Sequence, residues 1–293
     1  MRLKETVSRQ TEKTLRDSAL KKTLDRFYRE YDFEERIGYD PIIFPRRYEH
    51  LEDREAVGFI TACFAYGRVE LFRSVVEELL SKMGASPYHF LREFDPKRQG
   101  KLFKGIKYRF NDNADIICLF FILHKILKKH ASLEGAFMKG YRSDDENVER
   151  GLTGLVTEFL QVDTSPVYGE NARPPGLSQF FPSPSKGSAC KRSNLFLRWM
   201  IRDRDIDLGI WKGVPKKKLI IPLDTHIARI SRCLGLTGRK AQDWRMAVEV
   251  TAALRRFDPE DPLKYDFALC HRGISGLCKG EREREICREC IFT

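Results

Sequence analysis

Apolar side chains recur three or four residues apart along most of the chain, which is the spacing of one face of an α-helix. No segment has the sustained alternation of apolar and polar positions that a half-buried strand needs. The pattern therefore predicts an all-α fold. Helices are expected over residues 1–35, 52–64, 69–83, 113–130, 146–160, 188–202, 225–234, 243–257 and 259–274.

Breaks in the apolar pattern mark the connections between these helices. Residues 65–68 interrupt two helical stretches and predict a tight corner between them. Residues 161–185 are rich in Pro, Ser and Gly and predict a long loop. Asp243 is expected to cap one helix, and Pro259 is expected to stand at the first position of the next.

The amino-acid composition is typical of a folded protein and predicts one that stays inside the cell. Of 293 residues, 42% are hydrophobic and 32% are charged, which is typical of a globular chain. The longest apolar run, 116–123, is far shorter than the roughly 20 residues of a membrane helix. The first ten residues carry no apolar signal core, so we expect a cytoplasmic protein with reduced thiols and no membrane partner.

Positive charge is concentrated in one part of the chain. The net charge is +11, and residues 184–240 hold fourteen Lys or Arg against four Asp. A concentrated excess of this kind favours binding to a polyanion, because neutralised phosphates release condensed counterions. An ordinary solvated surface is the alternative interpretation.

A glycine turn leads directly into a basic helix start in the segment PSKGSACKRSNLFLRWM. Backbone N–H groups at such a turn and helix start are suited to binding an anion. The segment therefore predicts a nucleic-acid contact, with a plain basic helix start as the alternative. The predicted DNA contacts are Lys186, Gly187, Ser188, Arg192, Arg198, His226 and Arg229.

Two residues are candidates for chemistry. Lys191 stands beside the fixed cation Arg192, an arrangement that favours an uncharged, nucleophilic amine able to attack a sugar carbon. Asp224 follows an apolar stretch at the start of a helix, where its carboxylate could stabilise a cationic sugar transition state. The alternatives are a lysine that contacts phosphate and an aspartate that only caps its helix.

The segment PLDTHIARISRCLGL resembles the V-D-T-H-hydrophobic-x-R motif of endonuclease III and other helix-hairpin-helix DNA glycosylases. In that family the Asp is the essential carboxylate, which the resemblance assigns to Asp224. It implies a two-lobed all-α fold with DNA in the cleft between the lobes. We expect an N-terminal helix over 1–50, a central lobe over 51–224 and a C-terminal lobe over 225–293.

The stretch HRGISGLC resembles the opening of the iron-sulfur loop of endonuclease III. The resemblance matches Cys278, Cys287 and Cys290 to its first three ligands, although the first spacing is longer by two. An iron-sulfur cluster needs four thiolates, and no fourth cysteine follows before Thr293. Cys270 is the remaining candidate, and a tail without a cluster is the alternative.

The hairpin departs from endonuclease III, whose L-P-G-V-G-x-K corresponds to P-S-K-G-S-A-C-K here. The spacing of 33 residues from Lys191 to Asp224 is similar to that of archaeal 8-oxoguanine DNA glycosylases, in which a lysine forms a Schiff base. That resemblance assigns the Schiff base to Lys191, although Arg192 follows one position later. The chain also resembles an uncharacterised bacterial family sharing FAYGR, GSACKR-x-NLFLRWM and PLDTH.

The corner at 65–68 falls where the glycosylase fold places its base-pocket or strand-wedging residues. The resemblance therefore implies that Tyr66 and Arg68 contact an extruded base, with a core tyrosine at a helix corner as the alternative. We expect a monomeric DNA repair glycosylase that excises a damaged base, such as an oxidised one, from duplex DNA and then cleaves the strand. A non-catalytic protein that binds DNA or RNA structure is the rival hypothesis.

Overall fold

The computed structural model of the protein describes residues 2–276, 278 and 290, and side chains from residue 15 onward. About 60% of the chain is helical, and the described part contains two isolated β-bridges but no strand. The prediction of an all-α protein is confirmed. No helix in this part of the chain is long and apolar enough to cross a membrane.

Seven helices form the first half of the chain, and short 3-10 turns at 41–43, 45–47 and 100–103 connect some of them. They are α1 (Arg2–Arg29), α2 (Phe33–Ile37), α3 (Leu51–Phe64), α4 (Val69–Met83), α5 (Pro87–Arg92), α6 (Asn113–His130) and α7 (Leu133–Met138).

Seven more helices follow up to residue 276, and the predicted loop at 161–185 contains two of the shortest. They are α8 (Glu149–Gln161), α9 (Ser165–Tyr168), α10 (Pro175–Gln179), α11 (Lys191–Ile201), α12 (Thr225–Leu234), α13 (Trp244–Arg255) and α14 (Asp266–Ile274).

Capping residues explain why the predicted start of α13 agrees with the structure and the predicted start of α14 does not. Asp243 caps α13 as predicted, since its Oδ1 accepts the Met246 N–H at 2.8 Å. The prediction that Pro259 begins the last helix is wrong, because α14 begins at Asp266. Asp258 accepts the Asp261 N–H at 3.0 Å and so closes a turn in the segment expected to be helical.

The core is one continuous apolar cluster that reaches from Leu24 in α1 to Leu269 in α14. Helices α3 and α11 lie against each other at its centre. Gly58 makes this close approach possible, because a Cβ there would lie 2.8 Å from Cε of Met200. Phe59 and Phe196 pack edge to face across the same interface at 5.2 Å. This contact fixes where α11 begins relative to the end of α3.

Buried ion pairs connect α11 to the C-terminal helices. Arg198, only 3% exposed, donates from Nε to Asp207 at 3.1 Å and from Nη1 to Asp266. Arg202 donates from Nη1 to Asp207 and from Nε to Asp261, each at 3.0 Å. The predicted DNA contact at Arg198 is therefore corrected: its guanidinium is enclosed in the core because three buried or half-buried carboxylates surround this helix end.

We expect Arg198→Met to lower the free energy of unfolding by about 3 to 5 kcal/mol, because Asp207 and Asp266 would lose a buried cation. Denaturant unfolding followed by circular dichroism would measure the change. Arg204→Met is the matched control, since Arg204 is exposed, and it should change stability by less than about 0.5 kcal/mol. Equal effects of the two substitutions would contradict a stabilising ion-pair network.

The N-terminal helix α1 lies against the C-terminal part of the chain. Asp25 accepts from the Tyr265 hydroxyl at 2.6 Å and from Lys264 Nζ at 2.9 Å. Arg256 donates to Asp17 at 3.2 Å further along the same contact. These contacts hold α1 on the end of α13 and on the turn before α14, while the expected boundaries of the two lobes stay a prediction.

Candidate functional site

A cleft of about 540 Å³ opens where the end of α3 and the starts of α11 and α12 meet one face of α14. Both candidate catalytic residues line it, Lys191 at the first position of α11 and Asp224 at the cap of α12. Tyr66, Arg68 and His226 also line it. The fold thus brings residues from three separated motifs to one cavity.

Asp224 has two hydrogen-bonded oxygens. Its Oδ1 accepts the Ile227 N–H at 2.8 Å, so the residue does cap α12 as the sequence predicted. Its Oδ2 accepts from the Cys270 thiol at 3.6 Å. A carboxylate held by a helix N-terminus keeps a fixed orientation, and a fixed carboxylate is suited to stabilising a developing cation.

Cys270 contributes a neutral thiol to the cleft. Burial raises the pKa of this thiol well above its ordinary value, and the charges of Asp224 and Asp266 raise it further against the opposing charge of Lys191. The protonated sulfur therefore serves as a hydrogen-bond donor to Asp224. This contact was not foreseen from the sequence, which offered Cys270 only as a metal ligand.

Lys191 and Arg192 both reach the carbonyl end of α3. Lys191 Nζ donates to the Ala65 carbonyl at 3.1 Å, and Arg192 Nη1 donates to the Cys63 carbonyl at 2.6 Å. Such carbonyls have no partner within the helix, and cations at a helix C-terminus are favourable. Arg192 also donates to the Gln179 carbonyl, so its predicted DNA contact is replaced by internal hydrogen bonds.

The floor of the cleft holds a second carboxylate, Asp266. Burial raises the pKa of Asp266 to about 6, with Arg198 opposing the rise and Asp224 adding to it. The carboxyl is ionised at neutral pH and takes up a proton as the pH falls through about 6. Asp266 thus lines the same cleft as Lys191 and Asp224.

The corner between α3 and α4 forms one lip of the cleft. The Tyr66 hydroxyl donates to Asn111 Oδ1 at 2.6 Å, and the Arg192 guanidinium lies 5.0 Å from the Tyr66 ring. Arg68 is exposed on the rim. Tyr66 is therefore a half-buried ring that hydrogen bonding holds on the cleft wall. Arg68 is a long, exposed cationic side chain at the edge of the cleft.

The turn before α11 has the local geometry that the glycine predicted. Gly187 has a φ of +77°, a left-handed conformation that favours glycine, and both it and Lys186 are exposed. The Ser188 hydroxyl accepts the Cys190 N–H at 3.2 Å. The turn is held from behind, since the Gly187 carbonyl accepts the Trp244 N–H at 3.1 Å.

His226 lines the cleft from the first turn of α12, and Arg229 follows it in the same helix. His226 Nδ1 is 3.0 Å from Nη2 of Arg229, and a Cβ at Gly273 would lie 2.7 Å from the His226 Cβ. The first turn of α12 is therefore pressed against α14. This contact directs the cap of α12, and with it Asp224, toward Cys270.

Much of the positive charge at 184–240 is paired within the protein. Besides the two buried arginines, Lys216 pairs with Asp203 at 2.7 Å, and Lys217 lies 3.4 Å from Glu260. Arg239 likewise pairs with Asp243 at 2.8 Å. The local excess of cations in the sequence is therefore smaller as a surface property, because these cations are held in ion pairs, in the case of Lys217 with a carboxylate from outside the segment.

Most of the segment expected to hold an iron-sulfur cluster lies outside the described residues. Cys278 and Cys290 are half-buried, whereas Cys287 lies outside the described residues. Cys270 is engaged with Asp224 rather than held out as a fourth ligand. Within residues 2–276, 278 and 290, no group of three or more His, Cys, Asp or Glu could hold a metal ion.

These observations define an all-α protein with a cleft in which a lysine amine, a capped carboxylate and a neutral thiol converge. Over residues 40–275 the chain matches the family described as "Protein of unknown function (DUF2400)", and the protein belongs to that family. No curated protein and no solved structure matches the chain.

Proposed function

We propose that the protein is a DNA glycosylase with the two-lobed helix-hairpin-helix architecture, acting on a damaged base in duplex DNA. The observation that carries the proposal is that Lys191 and Asp224, which the sequence motifs single out separately, line one cleft. A volume of about 540 Å³ lies within the range of small-molecule sites and could receive a single extruded base.

In the proposed reaction, the damaged nucleotide leaves the duplex and enters the cleft. The Lys191 amine attacks the sugar carbon that carries the base, and the bond to the base breaks with its electron pair leaving on the base, which takes up a proton. Asp224 stabilises the positive charge that develops on the sugar. Loss of the amine proton and opening of the sugar ring give a Schiff base, from which elimination cleaves the strand.

The hydrogen bond of Lys191 to Ala65 favours a second candidate function. An amine that caps α3 has a structural role, as Arg192 has beside it. On this alternative the protein binds nucleic-acid structure through the same cleft without chemistry. Salt-sensitive affinity for duplexes without any product would support the alternative, and preference for folded RNA would identify the ligand as RNA.

Borohydride trapping tests the proposal on duplexes that contain 8-oxoguanine, an oxidised pyrimidine, uracil or an abasic site. We expect a covalent protein–DNA adduct with at least one of them, because borohydride reduces a Schiff base to a stable amine. Base release without an adduct would indicate a glycosylase that uses Asp224 without the lysine. Binding with neither adduct nor base release would contradict the proposed activity and favour the binding protein.

A further inference from the structure

We propose that the segment 96–111 is the surface that binds the DNA backbone beside the cleft, and that Phe110 at its tip stacks on a base. This inference rests on the proposed function only for the choice of DNA as the ligand. It adds a phosphate-binding surface to the one that the sequence composition suggested at residues 184–240.

The segment is basic throughout. Residues 96–111 contain six Lys or Arg and no Asp or Glu. Lys97 and Arg98 lie near Asp95, whose carboxylate accepts their backbone N–H groups. The four cations that follow are exposed and form no ion pair with any residue that the structure describes. They are Lys101, Lys104, Lys107 and Arg109.

This surface contrasts with the basic region at 184–240. There Lys216 and Lys217 are paired with Asp203 and Glu260. A cation already paired with a carboxylate gains less from a phosphate, since the existing pair must be broken first. Unpaired cations release a condensed counterion for each phosphate that they neutralise. Four exposed cations without an ion pair to any described residue thus lie within 101–109. The equally unpaired exposed cations at 184–240 are spread over the whole of that longer segment, and they are Lys186, Arg204, Lys212 and Lys240.

A tight turn presents an aromatic ring at the end of the basic segment. Tyr108 and Asn111 form an isolated antiparallel bridge, with N–H to carbonyl distances of 2.8 and 2.9 Å. Between them Arg109 has a φ of +51°, which costs a non-glycine residue backbone energy. Phe110 is 66% exposed as a result. An exposed phenylalanine held on a closed turn is suited to stacking on an unpaired base.

The turn adjoins the lip of the cleft. The Arg109 guanidinium lies 5.8 Å from the Tyr66 ring and 5.5 Å from the Phe110 ring. The absence of a side chain at Gly67 leaves room for this guanidinium, because a Cβ at Gly67 would lie 2.5 Å from Nη1 of Arg109. Since Tyr66 and Gly67 line the cleft, the turn that carries Arg109 and Phe110 lies directly beside the cavity.

The charge part of the proposal is tested by the salt dependence of binding to a duplex that contains a tetrahydrofuran abasic analogue. We expect the double variant Lys104→Gln/Lys107→Gln to reduce the slope of log Kd against log salt by about 0.9 for each lost phosphate contact. Affinity at low salt should fall about tenfold or more. Lys216→Gln/Lys217→Gln is the matched control, and it should change the slope less because both lysines are paired.

The stacking part is tested with 2-aminopurine opposite the analogue, whose fluorescence rises when the base unstacks. We expect Phe110→Ala to lose most of the rise while keeping the salt slope. The control is Leu51→Ala, since Leu51 is 53% exposed and lies at the far end of α3 from the cleft. An unchanged rise in Phe110→Ala would overturn the stacking role.

The outcomes also separate this inference from the proposed function. Loss of salt-dependent binding in Lys104→Gln/Lys107→Gln supports the surface even if trapping yields no adduct. An unchanged slope beside a normal adduct would overturn the surface and leave the glycosylase proposal standing. Tighter binding to an RNA hairpin than to the duplex, through the same lysines, would overturn DNA as the ligand.

Discussion

Lys191→Ala is expected to abolish the borohydride-trapped adduct on the duplex that traps the unchanged protein. The reason is that Lys191 supplies the one lysine amine among the described residues that line the cleft. Its Nζ lies 3.1 Å from the Ala65 carbonyl. Without the amine no Schiff base forms at this position, so the adduct should fall below detection. Gel separation of trapped products, with duplex affinity measured in parallel, checks the prediction.

Lys191→Arg is the sharper control because it separates catalysis from capping. An arginine keeps the positive charge at the end of α3 and can donate to the same carbonyl, but it does not form the Schiff base. We expect near-normal stability and duplex binding with no adduct. A trapped adduct in Lys191→Arg at the level of the unchanged protein would show that another amine is the nucleophile.

Asp224→Asn is expected to slow base release by about 10²- to 10³-fold, the effect of removing one electrostatic contact to a transition state. Asparagine caps a helix about as well as aspartate, so the hydrogen bond to the Ile227 N–H should survive. Loss of activity should therefore occur without loss of stability. Single-turnover base release and thermal unfolding together measure the two effects.

Asp32→Asn is the matched control for Asp224→Asn. Asp32 caps α2 by accepting the Glu35 N–H at 2.9 Å, and it is exposed outside the cleft. We expect its substitution to leave base release unchanged. If Asp224→Asn lost no more activity than Asp32→Asn, then Asp224 would be a capping residue only, which was the alternative that its sequence position left open.

The cleft contains more than a lysine and a carboxylate, because the Cys270 thiol also donates a hydrogen bond to Asp224. A neutral thiol is a weak donor, so it orients Asp224 without neutralising its charge. Asp266 behind it adds a second negative charge that Arg198 partly offsets. A cationic intermediate between Lys191 and Asp224 would therefore meet negative potential from both carboxylates.

The sequence determined which segments are helical and how several of them begin. The bounds of α4, α6 and α12 agree with the apolar spacing, because amphipathic periodicity and cap residues act locally. The spacing did not show that residues 259–265 form turns, since the pairing of Asp261 with Arg202 is a contact between distant segments. The motifs also identified Lys191 and Asp224 as candidates before any fold was known.

Tertiary structure alone decided what the charges do. Sequence composition counts Arg198, Lys216 and Lys217 as basic surface, but the fold pairs each of them with a carboxylate. It gave no sign that Cys270 meets Asp224, because the two are 46 positions apart. Helical periodicity is a local property that a sequence displays directly. Ion pairing, burial and the formation of a cleft depend on which distant residues meet, and that is set only when the helices pack.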